Sequence, residues 1–338
     1  MAVTRRQLLT GTGAAAAAAT LPGCGRSTAI ERPEGVPISP FTAKSTAEEV
    51  TEGLDLAGRL VLVTGANSGL GYETLRVLAL RGATVIATAR TLDKAQAACD
   101  SAGAGRAIPL ALELTDFDSV VAAARAVAAL GRPLDVLVAN AGVMELPELE
   151  QVYGLEKHFV TNHLSHFLLA NRLLPQLEAS PQGRVVVVSS GQSFNNAPAG
   201  GIQFDNLSGE GGYDPKTAYG QSKLANVLFT RHLAKRLAGT RVTANSLQPG
   251  VIMTNLGRHL PWYTLLTARL FGWAFMKTVE AGAATQVYLA AHPLVATTSG
   301  HFFRDSNPII IPGSYLQDDA QAERLWQVST ELTARWLT

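Results

Sequence analysis

A tyrosine followed four residues later by a lysine occurs twice, in YGLEK from Tyr153 to Lys157 and in YGQSK from Tyr219 to Lys223. On a helix that spacing puts both side chains on one face, roughly 6 Å apart. A phenol titrates near pH ~10 in isolation, and an ammonium beside it favours the ionised form. Such a pair can give a proton to a carbonyl oxygen or take one from an alcohol. Ser190 ends the apolar run RVVVVSS ahead of the second pair, and its hydroxyl can stabilise charge building on the same oxygen. No such partner stands before the first pair, where Gly154 follows the tyrosine directly; a solvated helix start is the expectation there. The second pair opens the amphipathic run KLANVLFTRHLAKRL and is the one expected to do chemistry.

Positioning these groups falls to alternating strands and helices. RLVLVTG (59–65), TVIATA (84–89), AIPLAL (107–112), DVLVAN (135–140), RVVVVSS (184–190) and RVTANSL (241–247) read as strands, with GHFF (300–303) as a seventh. They are continuous apolar runs, the pattern of strands buried on both faces. Helical stretches are expected over 69–81, 116–130, 153–177 and 216–237. The fold class is therefore α/β: a single Rossmann-type, doubly wound parallel sheet of about seven strands over residues 54–338. Ligands bind such sheets at the carboxyl ends of the strands, where Ser190 and YGQSK fall.

The loop TGANSGLG (Thr64 to Gly71) leaves the first strand and enters the first helix. Gly65 permits the tight turn, while Gly69 and Gly71 let backbone approach a pyrophosphate at a helix N-terminus. In that strand–turn–helix setting the loop points to a dinucleotide.

The spacing T-G-x-x-x-G-x-G resembles the short-chain dehydrogenase/reductase family, and the resemblance runs from Leu54 to the C-terminus. Asn140, Ala141 and Gly142 match its N-A-G after strand four, and Pro249–Gly250, with Thr254 beyond, match its P-G motif. The resemblance implies a catalytic tetrad of Asn162, Ser190, Tyr219 and Lys223, with Asn162 holding a water that relays protons to Lys223. It implies cofactor contacts from Gly65, Asn67, Ser68, Gly69, Leu70, Gly71, Glu113, Leu114, Asn140, Ala141, Gly142, Val251 and Thr254. Lys223 would also hold the nicotinamide ribose, and Glu113 stands where the family usually has Asp. A helix-interior asparagine satisfied by backbone is the other reading of Asn162.

Strand two ends with Ala89 and Arg90, without the carboxylate that binds a ribose 2′-hydroxyl, and arginine can grip a 2′-phosphate. NADP(H) is the expected cofactor, and no metal site is expected. The insertion GIQFDNL between Ser190 and Tyr219, with AERLWQVS near the C-terminus, resembles the retinol dehydrogenase-like branch, which also includes the WW-domain oxidoreductase. That branch implies an apolar alcohol, aldehyde or ketone as substrate. The apolar stretch LPWYTLLTARLFGWAFM (260–276) would be its substrate flap, within about 255–278; a core helix or a membrane-surface contact are the other readings.

The chain has 338 residues, 47% hydrophobic and 16% charged, with net charge +1 and two cysteines, Cys24 and Cys99. Those values exclude a disulfide framework and give no sign of a nucleic-acid partner. Residues 1–26 carry Arg5–Arg6 ahead of a short Ala-rich run, which resembles a twin-arginine export signal. LPGC (21–24) resembles a lipobox, in which Cys24 would be lipidated and attach the protein to a membrane; whether Cys24 is lipidated is left open. The protein would then be in the periplasm or cell envelope; a cytoplasmic protein with a disordered leader or misassigned start is the alternative. Residues 27–53 read as a linker. Competing functions are an NADP(H)-binding sensor or scaffold and a double-bond reductase on the same fold; homo-oligomerisation is left open.

Overall fold

The computed structural model describes residues 30–102, 105–252, 276–311 and 313–338. The expected leader, Cys24, Thr254 and nearly all of the expected flap lie outside the described residues.

The main sheet is built from β1 (Leu60–Val63), β2 (Thr84–Ala89), β3 (Ala107–Ala111), β4 (Val136–Ala139), β7 (Arg184–Val188), β8 (Thr243–Gln248), β9 (Phe302–Arg304) and β10 (Asn307–Ile309). Their spatial order is β10-β9-β8-β7-β4-β1-β2-β3. All neighbours run parallel except β10, which pairs antiparallel with β9. The chain moves outward from β1 through β2 to β3, then returns to β4 on the other side. That reversal opens a crevice at the carboxyl ends of β1 and β4.

The helices are α1 (Gly69–Leu80), α2 (Leu92–Ser101), α3 (Phe117–Ala128), α4 (Ser165–Glu178), α5 (Gln192–Asn195), α6 (Pro215–Arg236), α7 (Val279–Ala291) and α8 (Asp319–Leu337). α6 starts sharply: Asp214 accepts the Thr217 N–H at 2.8 Å, and Pro215 occupies the first helical position. Alternate residues of β1 feed two cores. Leu60 and Leu62 pack with Phe117, Phe167 and Leu224 from α3, α4 and α6. Val61 and Val63 pack with Leu75 and Val287 from α1 and α7. The sheet is thus covered on both faces, which is why its strands carry no polar alternation.

Three expectations change. An eighth strand, β10, follows a two-residue turn at Asp305 and Ser306, with φ 53° and 57°. That turn type usually announces itself with glycine, which is absent here. The YGLEK segment is not a helix start: β5 (Gln151–Val152) and β6 (Leu155–Glu156) form a small hairpin with Tyr153 and Gly154 at its tip. Both tip residues have positive φ, 55° and 73°, so the helix can only begin after them. Finally, part of the stretch read as a linker is packed against the body. Ala47, Val50 and Thr51 are buried, and Phe41 sits edge-on to Tyr288 with ring centres 5.8 Å apart.

Candidate active site

The loop after β1 is locked to the loop after β4. Thr64 Oγ1 accepts the N–H groups of Asn140 and Ala141, each at 2.9 Å, and Asn140 Nδ2 donates to the Thr64 carbonyl at 2.8 Å. Gly65 has φ 67°, and a Cβ there would stand 2.9 Å from the Ala141 Cβ. A Cβ at Gly71 would overlap the Gly65 carbonyl oxygen and come within 2.6 Å of Asn140 Nδ2. Two of the three loop glycines therefore answer to close backbone approach. Ser68 caps α1 in an extended conformation but makes no side-chain bond to the first turn. The N–H groups of that turn are left for a ligand, and a pyrophosphate fits this cradle.

His166 fixes the same junction from below, though the sequence reading passed it over. Thr64 Oγ1 already receives two N–H bonds, so its own proton goes to His166 Nε2, 2.9 Å away. His166 then donates from Nδ1 to the Asn162 carbonyl at 3.0 Å. Burial holds this imidazole down to about 4, so it is neutral. Its signal was its place four residues beyond Asn162, one helical turn. Gln286 on α7 was also missed; its amide donates to the Leu70 carbonyl at 3.3 Å and to Asn140 Oδ1 at 3.2 Å.

Asn162 lies in a π-helical turn, Phe159–Leu164, and is fully buried. Its Oδ1 accepts the Val143 N–H at 2.8 Å, while Nδ2 donates to the Val143 carbonyl at 3.0 Å and to Ser222 Oγ at 2.9 Å. The amide thus braces the loop after β4. A Cβ on Gly142 would stand 2.8 Å from Asn162 Oδ1 and 3.6 Å from Lys223 Nζ, so the glycine keeps these groups close.

Tyr219 and Lys223 lie one turn apart on α6, with Lys223 Nζ 5.7 Å from the Tyr219 ring centre. Lys223 Nζ donates to the Val188 carbonyl at 3.0 Å, and Ser189 Oγ to the Lys223 carbonyl at 2.7 Å. Ser190 follows β7 directly, and its Oγ accepts the Gln192 N–H at 3.2 Å. A Cβ on Gly220 would lie 2.7 Å from the Ala197 nitrogen, so this glycine lets α6 approach the turn after the serine. Burial pushes the Tyr219 phenol up to about 12, with the nearby Ser190 side chain pulling the other way. Burial also pushes Lys223 down to about 8. The expectation that Lys223 draws the phenol toward neutral pH is not met in the protein alone, because desolvation penalises the charged form of both groups.

The edge residues are less uniform. Arg90 is exposed just past Ala89. A cavity of ≈ 410 Å³ opens between the glycine loop and α2, lined by Asn67, Ser68, Tyr72 and Lys94 among others. Lys94, four residues after Arg90, is a second cation that the sequence reading did not use. Glu113 accepts from Thr115 N and Oγ1 at 2.9 and 2.8 Å, so its carboxylate is engaged locally. Leu114 is buried beside it. Pro249 and Gly250 follow β8; Gly250 has φ 99°, and Val251 is 62% exposed. The Val251 carbonyl accepts the Lys277 N–H at 2.9 Å, and Lys277 Nζ pairs with Asp305 at 2.6 Å. The decoy is elsewhere: Tyr153 stacks on Phe117, ring centres 4.5 Å apart, and accepts the Phe117 N–H at 3.0 Å.

Comparison with known proteins adds relatives to this geometry. The family model of the short chain dehydrogenase matches residues 59–261. Human retinol dehydrogenase 14 is 40% identical over 292 residues, covering 80% of this chain and 85% of that protein. Among solved structures, a Mycobacterium paratuberculosis protein of uncharacterized function superposes with a TM-score of 0.67 at 33% identity, covering 84% of this chain and 97% of that one. The Pseudomonas aeruginosa RhlG/NADP active-site complex gives a TM-score of 0.59 at 27% identity, covering 78% and 98%.

Proposed function

Since the chain belongs to the short-chain dehydrogenase family and is an oxidoreductase acting on CH–OH donors, we propose that it interconverts an apolar alcohol and its aldehyde or ketone with NADP(H). One observation carries the reading. A buried tyrosine lies one turn from a buried lysine, on the helix that packs against the turn after Ser190, at the ligand end of a doubly wound sheet. When bound, the nicotinamide supplies or accepts the hydride. Tyr219 gives its proton to the carbonyl oxygen in reduction and takes it back in oxidation. Ser190 donates to the same oxygen and stabilises its developing charge. Lys223 supports the phenolate and holds the nicotinamide ribose. Asn162 braces the loop that carries Gly142 and Val143. The glycine loop with Asn67 and Ser68 takes the pyrophosphate, and Arg90 with Lys94 takes the 2′-phosphate. The NADP in the RhlG complex and the retinol dehydrogenase relative support the cofactor and the apolar substrate.

The leader extends this reading: the protein is exported folded by the twin-arginine route and carries its nucleotide with it, tethered through a lipidated Cys24. Loss of bound nucleotide on simple dialysis, or a purely cytoplasmic protein on fractionation, counts against that part alone. The reaction class is tested by NADPH consumption with apolar aldehydes and ketones, for wild type beside Tyr219→Phe. Abolition in the variant with retained NADPH binding is expected. Equal turnover by both, or none by wild type, overturns it.

A further inference from the structure

Lys223 is 3% exposed, and among the described residues no carboxylate pairs with it; burial sets its ionisation. Its ammonium rests on the Val188 carbonyl, 3.0 Å away. A buried cation keeps its charge only as well as its acceptor is aimed. Val188 is the last residue of β7, one beyond the final pairing of that strand with β4. Its carbonyl takes a second donor, Asn226 Nδ2, at 3.3 Å. A carbonyl oxygen has two lone pairs, so both donors can be held at once. Asn226 follows Lys223 by one turn of α6, and both side chains reach the same oxygen. The amide cannot be reversed, because its own oxygen would then meet the Val188 oxygen.

Asn226 Oδ1 is therefore turned away from Val188. It is buried without a hydrogen-bond partner, and so is Nδ1 of His163. The two side chains are neighbours. Burial, with His166 beside it, holds the His163 imidazole down to about 3, and the nearby Asn226 side chain pulls the other way. An acceptor pulls in that direction, so Nδ1 carries the proton on the Asn226 side, and Nε2 accepts the Ser329 hydroxyl at 2.9 Å. His163 is neutral at any working pH and acts by geometry, not by proton transfer. Phe159 and Phe229 pack around its ring, with centres 5.2 and 5.9 Å away. His163 also follows Asn162 directly in the π-helical turn, a distortion frequent at functional sites. Ser329 is fully buried on α8. A row of polar groups thus runs from the last helix to the catalytic lysine. Burying an imidazole and an amide with imperfect partners is unfavourable, and apolar side chains would fill the space without that cost. A task at Lys223 explains why they are there.

We propose that Asn226 is a positioning residue for Lys223, and that the C-terminal helix sets it through Ser329 and His163. Asn226 fixes the direction of the Val188 carbonyl, and the carbonyl holds the ammonium in place beside Tyr219. The inference rests on the carbonyl–alcohol reading above.

Asn226→Leu removes both polar ends of the amide at similar volume. Ser329→Ala removes the hydroxyl on α8, and Ser329→Thr restores one. Each is compared with wild type by melting temperature, by NADPH affinity from nucleotide fluorescence, and by the pH profile of kcat for a fixed panel of apolar alcohols with NADP+. Asn226→Leu should lower kcat by about tenfold and leave KM for the alcohol within about twofold. The midpoint of its pH profile should rise by about half a pH unit or more, because a less charged Lys223 supports the phenolate less well. NADPH affinity should fall through the weakened hold of Lys223 on the ribose. Ser329→Ala should show the same changes at smaller size, and Ser329→Thr should reverse them. An Asn226→Leu protein that melts lower but keeps the wild-type kcat and pH midpoint overturns the proposal, and so does a midpoint shifted down. Should Asn226→Leu fail to fold, a folded Ser329→Ala with wild-type kcat and midpoint overturns it alone. Wild-type behaviour of Ser329→Ala beside an altered Asn226→Leu overturns the part assigned to the C-terminal helix. No turnover of any alcohol by wild type overturns the carbonyl–alcohol reading, and this proposal with it.

Discussion

Two tyrosines with the same local spelling have opposite fates, and the difference lies in what surrounds each ring. Tyr219 is 4% exposed and one turn from Lys223; Tyr153 is 49% exposed and stacked on Phe117. Tyr219→Phe should lower kcat by at least about a hundredfold, the usual scale for losing a general acid. Tyr153→Phe should leave kcat within about twofold and cost about 1 kcal/mol of stability through the lost bond to the Phe117 N–H. Steady-state kinetics and urea unfolding read the two effects separately. The pH dependence of stability has a definite sign at Lys223. Its folded value of about 8 lies below the ordinary lysine value of 10.5, so between those values the unfolded chain binds the extra proton. Stability of the nucleotide-free protein should therefore rise with pH across that window, by about 1.4 kcal/mol per pH unit from this group. Tyr219, raised from 10.0 to about 12, opposes the trend only above pH 10. In Lys223→Met the rise should vanish; an unchanged slope in urea titrations from pH 8 to 10 would mean that Lys223 is charged in the folded protein.

At the scale of elements, the glycines following the two tyrosines make a matched pair. Gly154 has φ 73° with nothing within 4 Å of a built Cβ, so its task is the hairpin turn. Gly220 has an ordinary φ but stands against the backbone of Asn196 and Ala197, at 2.7 Å. Gly154→Ala should cost about 1 kcal/mol and leave kcat/KM intact. Gly220→Ala must shift α6 or the turn after Ser190, and such a displacement of catalytic groups should lower kcat by about a hundredfold. Kinetics alone separates the two variants. The same contrast explains what the sequence could convey. Strand-length apolar runs, the glycine loop and the order of Ser190, Tyr219 and Lys223 are local signals, and the elements stand where those signals put them. The hairpin at 151–156 was misread because Y-G at a turn and Y-G in a helix are spelled alike. β10 was missed because its turn uses Asp305 and Ser306, and a three-residue edge strand carries almost no pattern of its own. His166 and Gln286 escaped because the groups they brace, Thr64 and Asn140, lie on other elements, distant in sequence.

At the scale of the whole molecule, the stretch before β1 decides where the folded body begins. Composition alone makes residues 27–53 look like a linker, yet the described part is stitched to three elements. Ser39 accepts the Phe41 N–H at 3.2 Å and donates to the Ser306 carbonyl at 3.0 Å, which ties it to the β9–β10 turn. The Ala47 N–H donates to the Glu280 carbonyl at 2.9 Å on α7, and Glu48 pairs with Arg76 of α1 at 2.6 Å. Ala47 and Val50 add their side chains to the core shared by α1 and α7. Polar, proline-rich composition measures the surface of such a strap and misses the few residues that anchor it. A chain starting at Leu54 would expose Val287 and Tyr288, which those residues help to cover, and would leave the Glu280 carbonyl and Arg76 without these partners. It should be less stable than a chain starting at Ile30 by about 3–5 kcal/mol, from lost apolar burial and broken hydrogen bonds. Because α1 carries the glycine loop at its N-terminus, the loss should also appear as weaker NADPH binding. Equal melting temperatures for the two chains, measured with and without NADPH, would show that residues 30–53 add nothing to the fold and that the linker reading was right. A large difference sets the start of the folded unit ahead of Ser39.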